Sequence, residues 1–263
     1  DSHTALPTAD EDDFWGKMSI NEPGPERWQT TLTGRPLDVQ VYQWQMAASG
    51  YAAVWAHENT RASIFDAMER RETYATTGPR MVVRFFGGFG FEADDAVRPD
   101  LARTGYAKGV PMGGSLTGAA DGPATFLISA LRDPDGANLD RVQVVKGWVD
   151  DGGETHERIF EVALSDGRKV GTDGRAPAVG STVDVANATY TNTIGAPQLT
   201  TVWQDPTFEP EQAAFWYVRV IEIPTPRWTS FDAKTYGLEL PPEVPRTTQE
   251  RAYTSPIWYT PER

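Results

Sequence analysis

Residues 125–149 read TFLISALRDPDGANLDRVQVVKGWV, two apolar runs rich in β-branched residues with a polar stretch between them. Thr125–Arg132 and Arg141–Val149 have strand length, and Pro134 and Gly136 suit turn dihedrals, so the segment is expected to form a β-hairpin. The loop Arg132–Asp140 carries an Asp-x-Asp-Gly-x-Asn-x-Asp pattern that offers oxygen donors for calcium, but its spacing departs from the twelve-residue calcium loop. The same reading extends outward to strands at Arg80–Phe86, Arg158–Leu164, Thr182–Thr191, Thr200–Trp203, Phe215–Ile223 and Pro256–Tyr259. Their number and spacing predict an antiparallel β-sandwich over residues 80–263, with the Pro-, Thr- and Arg-rich segment 224–255 as a long excursion from it. The 24 Gly and 20 Pro agree with many turns and short strands.

Residues 51–79 have a different character. Tyr51–Ala56 is a compact apolar run, and after it Ile64, Phe65 and Met68 fall on one face of a 3.6-residue period, which predicts strand, loop and helix. Asn59 or Thr60 can cap the helix start, Arg70 and Arg71 suit the negative end of its dipole, and Gly78-Pro79 ends the segment.

Composition excludes several function classes. The net charge is -13, from 37 acidic and 24 basic residues, so a nucleic-acid backbone or an anionic membrane surface is repelled overall. With no cysteine there is no disulfide, thiolate metal site or Cys nucleophile. The charge-free stretch Val39–Ala56 is interrupted by Gln40, Gln43, Gln45, Ser49 and Gly50 and does not read as a membrane span. Localisation stays open, export included. Gly113-Gly114-Ser115-Leu116-Thr117 lacks the second Gly of a nucleophile elbow, and Gly87-Gly88-Phe89-Gly90 lacks the Lys-Ser/Thr of a phosphate loop. Asn187-Ala188-Thr189 fits a glycosylation sequon, but in an expected strand. Phe215-Trp216-Tyr217 and Trp258-Tyr259 can stack a sugar, although packing a sandwich core is the commoner use of such clusters.

Two places can carry chemistry. In Asp1-Ser2-His3 the first and third side chains share a face of an extended segment and can reach one ion; a capping Asp beside an exposed His is the plainer use. Glu58-Asn59-Thr60-Arg61 follows an apolar strand and precedes a helix, the place where a (β/α) barrel holds its chemistry. His57 beside it is a candidate supporting group or an exposed loop histidine. Arg61, Arg71 and Arg80 can clamp an anion bidentately or form structural ion pairs. The acidic run Asp10–Asp13 reads as a solvated loop.

Asp1-Ser2-His3, AAVWAHENTRASIFDAMERRETYATTGPR, RFFGGFGF, LDRVQVVKGW, EIPTPRWTSFDAK and QERAYTSPIWYTP together resemble the polymerase and histidinol phosphatase (PHP) superfamily of metallohydrolases. Within it they are similar to the domain-of-unknown-function 3604 family over nearly the whole chain. His57 departs from that pattern. The resemblance implies that residues 1–79 are the end of a distorted (β/α)7 barrel, so that the fold is mainly β with an α/β remnant. It also implies that Asp1 and His3 ligate a cluster of two or three Zn, Mn or Fe ions, the other ligands lying upstream in a missing N-terminal part of the barrel. Glu58, Asn59, Arg61, Arg80 and His57 are the expected substrate or supporting residues. The expected activity is hydrolysis of a phosphoester or related ester by metal-activated water. The alternative is a sandwich module that binds a glycan or positions a catalytic domain, without chemistry of its own.

Overall fold

The computed structural model describes residues 8–18, 21–32, 40–117, 122–150 and 152–261. The chain enters β1 (Tyr51–Val54), α1 (Arg61–Glu69), β2 (Thr73–Thr76) and β3 (Val82–Gly88), then α2 (Leu101–Lys108), β4 (Val110–Pro111) and β5 (Ser115–Leu116). The long strands follow: β6 (Thr125–Leu131), β7 (Leu139–Val149), β8 (Thr155–Leu164), β9 (Gln198–Gln204) and β10 (Ala214–Glu222). The chain closes with β11 (Thr225–Pro226), α3 (Trp228–Tyr236), β12 (Thr247–Thr248), β13 (Arg251–Thr254) and β14 (Ile257–Tyr259).

The protein is mainly β, and two mostly antiparallel sheets face each other. One has four strands in the order β4-β3-β6-β9. The other has eight and is built on β10, which pairs with β7 along one edge and with β13 and β14 in succession along the other. β8 extends it past β7, and β2 and β1 extend it past β13, so this sheet lies on both sides of the expected boundary at residue 79. Between the sheets Phe126 packs on Trp216, Phe85 and Trp203 with ring centres 5.1–5.7 Å apart.

Several expectations are corrected. Residues 125–149 are no hairpin: β6 joins the four-stranded sheet and β7 the eight-stranded one. The polar stretch between them is longer than a tight turn and crosses from one layer to the other, about 10 Å in a sandwich. Two of its carboxylates are engaged within the chain. Asp133 accepts from the backbone N–H of Arg80 at 2.6 Å and of Asp135 at 3.1 Å, and Asp140 is taken up by Arg141 and Arg168. Thr182–Thr191 is a turn closed by an Asp184–Thr189 bridge, because Asn187 bonds the Asp184 carboxylate through its backbone and its amide. Segment 224–255 is shorter as an excursion than expected, since Arg251–Thr254 returns as β13 with Ala252 and Thr254 buried.

Helix α1 starts on Thr60, whose hydroxyl accepts from Ser63 N. It ends with Glu72 N–H on Ala67 O and Arg71 N–H on Met68 O, a pattern that puts Arg71 in the left-handed region at φ 59°. The expected apolar face is not buried among the described residues: Phe65 is 60% and Met68 53% exposed, and Ala67 is what the helix buries.

A buried ion pair joins the two layers. Lys146, on β7 and 1% exposed, donates to Asp205 at 2.9 Å and to Thr207 O at 2.6 Å; Asp205 also accepts from Trp216 Nε1 of β10 at 3.0 Å. Asp205 directly follows β9 of the other sheet. Removing one partner strands a charge in a dry interior, so Asp205→Ala is expected to cost about 3–5 kcal/mol. Urea denaturation measures this; a loss below about 1 kcal/mol would show that the pair is dispensable.

Candidate functional site

The cleft that concentrates titratable groups lies at the C-terminal end of β10. Glu222, the last residue of that strand, and Glu250, just before β13, are backbone neighbours, Glu222 N donating to Glu250 O at 2.9 Å. Asp133 and Asp135 of the layer crossing form one wall, and Asp10–Asp12 with Pro79 and Arg80 another. Pro226, Phe231 of α3 and Tyr190 complete a space of about 220 Å³. Among the described residues seven carboxyls line it, against the single guanidinium of Arg80.

Each side chain is placed by a local device. Glu11 accepts from Ala48 N–H and, at the start of α3, from Trp228 N–H, both at 2.9 Å, which ties the N-terminal segment to the helix where an anion is favoured. Arg227 fixes the neighbouring segment through the carbonyls of Trp44 and Met46, and a bidentate Arg27–Asp232 pair clamps α3 from the other side. Asp133 is held by Arg80 and by backbone N–H groups as described above. Glu222 is different: it is 0% exposed, and neither carboxylate oxygen has a hydrogen-bond partner among the described residues. Its Oε1 faces the Gly136 wall, where an added Cβ would stand 3.7 Å away.

The electrostatics follow. Burial, then the charges of Glu250 and Asp133, raises the Glu222 carboxyl well above the ordinary glutamate range. Burial raises Glu250 to about 7, opposed by the Thr77 hydroxyl that donates to it and assisted by Glu11 and Asp10. Asp10 is raised by burial and then by Asp13 and Asp12. For Asp133 burial acts upward, but hydrogen bonds from the Arg80 and Asp135 N–H groups and the Arg80 guanidinium hold it below the usual value. Burial thus shifts both glutamates of the cleft towards the protonated form, and a positive group entering it would favour release of that proton.

The residues expected from sequence fall elsewhere, with one exception. Asp1 and His3 lie outside the described residues. His57, Glu58 and Asn59 are exposed on the loop between β1 and α1, Arg61 is exposed at the first position of α1, and none lines the cleft. Arg71 terminates α1. Arg80 does line the cleft, paired with Asp133 at 3.4 Å. Among the described residues no three of His, Cys, Asp and Glu are placed to hold one metal ion, and no helix is long and apolar enough to cross a membrane. Sequence reasoning missed Glu222 and Glu250; the available signal was a carboxylate at the end of the apolar run Phe215–Ile223. It also missed His156, which bonds Asp150 at 2.7 Å and stacks on Trp148 across the β7–β8 hairpin.

The unfolded Glu250 carboxyl ionises near 4.5, whereas the folded one keeps its proton to about 7. Its contribution to stability is therefore lost as pH rises between those values. Against Glu250→Gln, the wild-type protein is expected to lose about 3 kcal/mol between pH 4.5 and 7.5. Urea titrations of both proteins at the two pH values check this, and a constant difference between them refutes it.

Comparison with known proteins places the whole chain. The model of a family described as "Protein of unknown function (DUF3604)" matches residues 1–261. No curated protein and no solved structure matches the chain. A match running from Asp1 to Pro261 takes in both sheets and the cleft, and by it the chain belongs to the DUF3604 family.

Proposed function

We propose that this DUF3604 chain is the C-terminal portion of a PHP-type, divalent-metal-dependent hydrolase acting on phosphoesters or related esters. In this reading the segment before β1 closes the end of the barrel, and β1 and β2, which lie in the eight-stranded sheet, belong with residues 80–263 to an accessory sandwich. Asp1 and His3 hold metal together with donors that the described residues do not supply. Two or three Zn, Mn or Fe ions would lower the pKa of a bound water and so supply hydroxide at neutral pH.

The supporting observation is the cleft. A buried, unpaired carboxylate destabilises a fold, and such groups concentrate where a ligand or a reaction uses them. The cleft is lined by Asp10, seven residues after His3 in sequence. Its seven carboxyls would repel a phosphoryl group, so in this reading the anionic end of the substrate lies towards the metal and another part of it occupies the cleft.

A second reading, of a glycan-binding module, is favoured by a separate observation. On the β7–β8–β10–β14 face Trp148 stacks on His156 and Phe215 lies 5.1 Å from Trp258, lining a groove of about 470 Å³. Rings of this kind offer flat apolar faces to a pyranose.

Elemental analysis of the protein, expressed with any coding sequence that precedes Asp1, tests the first reading. Two or three equivalents of transition metal are expected, lost together with ester hydrolysis in Asp1→Ala and His3→Ala; metal-free protein that still cleaves the ester would refute it. For the second, retention on an immobilised polysaccharide is expected to fall at least about tenfold in Trp258→Ala, the cost of one lost aromatic stack. Equal retention of the variant removes that reading.

A further inference from the structure

We infer that the cleft between β10, the layer crossing and α3 is a recognition site for a protonated amine, its ammonium group seated against Glu222 and its alkyl stem against Phe231, Tyr190 and Pro226. The argument starts from Glu222. Its two oxygens have no donor among the described residues, although backbone N–H groups of the same region satisfy Asp133 and Glu11. A folded chain rarely leaves a buried carboxylate unpaired, and the donor it lacks is then to be sought in a ligand.

The charge balance selects the sign. Among the described residues Arg80 is the only cation lining the cleft, and it already pairs with Asp133 and Asp135. A phosphate or carboxylate would meet seven carboxyls; an ammonium would meet the complementary field. Donor geometry selects the size. A metal ion needs several oxygens converging within 2.0–2.6 Å of one point, and among the described residues no three carboxylates or histidines do so. The cleft instead has room for an ammonium carrying a short alkyl chain, with aromatic and proline walls to cover the methylenes.

Binding must be linked to protons. The groups that act on Glu222 are Glu250, Asp133, Asp10 and Arg132, and those that act on Glu250 are Thr77, Glu11, Asp10 and Arg251. Burial is the largest cause in both, and it shifts both glutamates towards the protonated form, so a cation seated there displaces proton. The inference rests on the hydrolase reading only in calling the amine part of a substrate; binding itself does not depend on it.

Titration calorimetry on the intact chain decides the matter, with n-butylamine as probe, n-butanol as its neutral counterpart, and Mn²⁺ and Zn²⁺ alone. n-Butylamine is expected to bind and n-butanol not to. Its affinity should increase as pH rises, by up to about tenfold per pH unit while the displaced proton is still bound, the slope for one released proton. Glu222→Gln, which preserves shape, should weaken binding at least tenfold and flatten that slope while the variant unfolds at an unchanged or higher temperature. Equal binding of the alcohol would mean that the cleft recognises only an apolar stem. Binding of Mn²⁺ or Zn²⁺ that depends on Glu222 and excludes the amine would make it a metal site. Absence of amine binding by a folded wild-type protein, or binding indifferent to Glu222→Gln, overturns the inference as well. None of these results bears on metal content at Asp1 and His3, so the hydrolase reading stands or falls separately.

Discussion

The contact between Lys146 and Asp205 holds the two layers in register. Lys146 sits on β7, Asp205 just beyond β9, and Trp216 on β10 supplies the third member through its indole N–H. The three come from both sheets, and their hydrogen bonds are directional where the surrounding aromatic packing is not. Hydrophobic burial supplies most of the attraction between the layers, but Phe85, Phe126 and Val144 would tolerate small slides that an ion pair at 2.9 Å does not. Neither charge can be solvated where it lies, so each is kept by the other. The position of the layer crossing, and with it the wall of the cleft that carries Asp133, follows from that registration.

Much of the sandwich is legible in the chain because its long strands are apolar, β-branched and punctuated by Gly, Pro and Asp. Strands β3, β6, β7, β8, β9 and β10 lie within a few residues of their expected places. What the pattern does not carry is partnership. The runs on either side of Asp133-Pro134-Asp135-Gly136 suit a hairpin equally well, and only the tertiary structure assigns them to opposite layers. Short strands are also lost: Arg251–Thr254 places just Ala252 and Thr254 inward, too few residues for a two-residue period to declare itself. Conversely, Thr182–Thr191 has strand-forming residues, yet the Asn187 amide on Asp184 makes a turn more favourable.

The candidate site was less legible still. Sequence reasoning favoured histidines and the strand-to-helix loop, where Glu58, Asn59 and Arg61 turn out to be solvated. The cleft draws on residues near positions 10, 80, 133, 190, 222 and 250, and no spacing rule links them. Glu222 in particular looks like the polar end of a strand. Its significance comes from burial without a partner, which depends on what the other strands bring around it.

β10 has neighbours on both edges, and those on one edge, β13 and β14, lie in the last stretch of the chain, Arg251–Tyr259. β2 depends on the same stretch, since Ala252, Tyr253 and Thr254 pair with Thr76, Ala75 and Tyr74. During synthesis the first hairpin and the central strand must therefore wait, with unpaired edges, until that stretch has left the ribosome. Contacts so distant in sequence close slowly, and exposed edges are where chains join one another by mistake. A chain that stopped before Arg251–Tyr259 was made would leave the main sheet open rather than merely shortened.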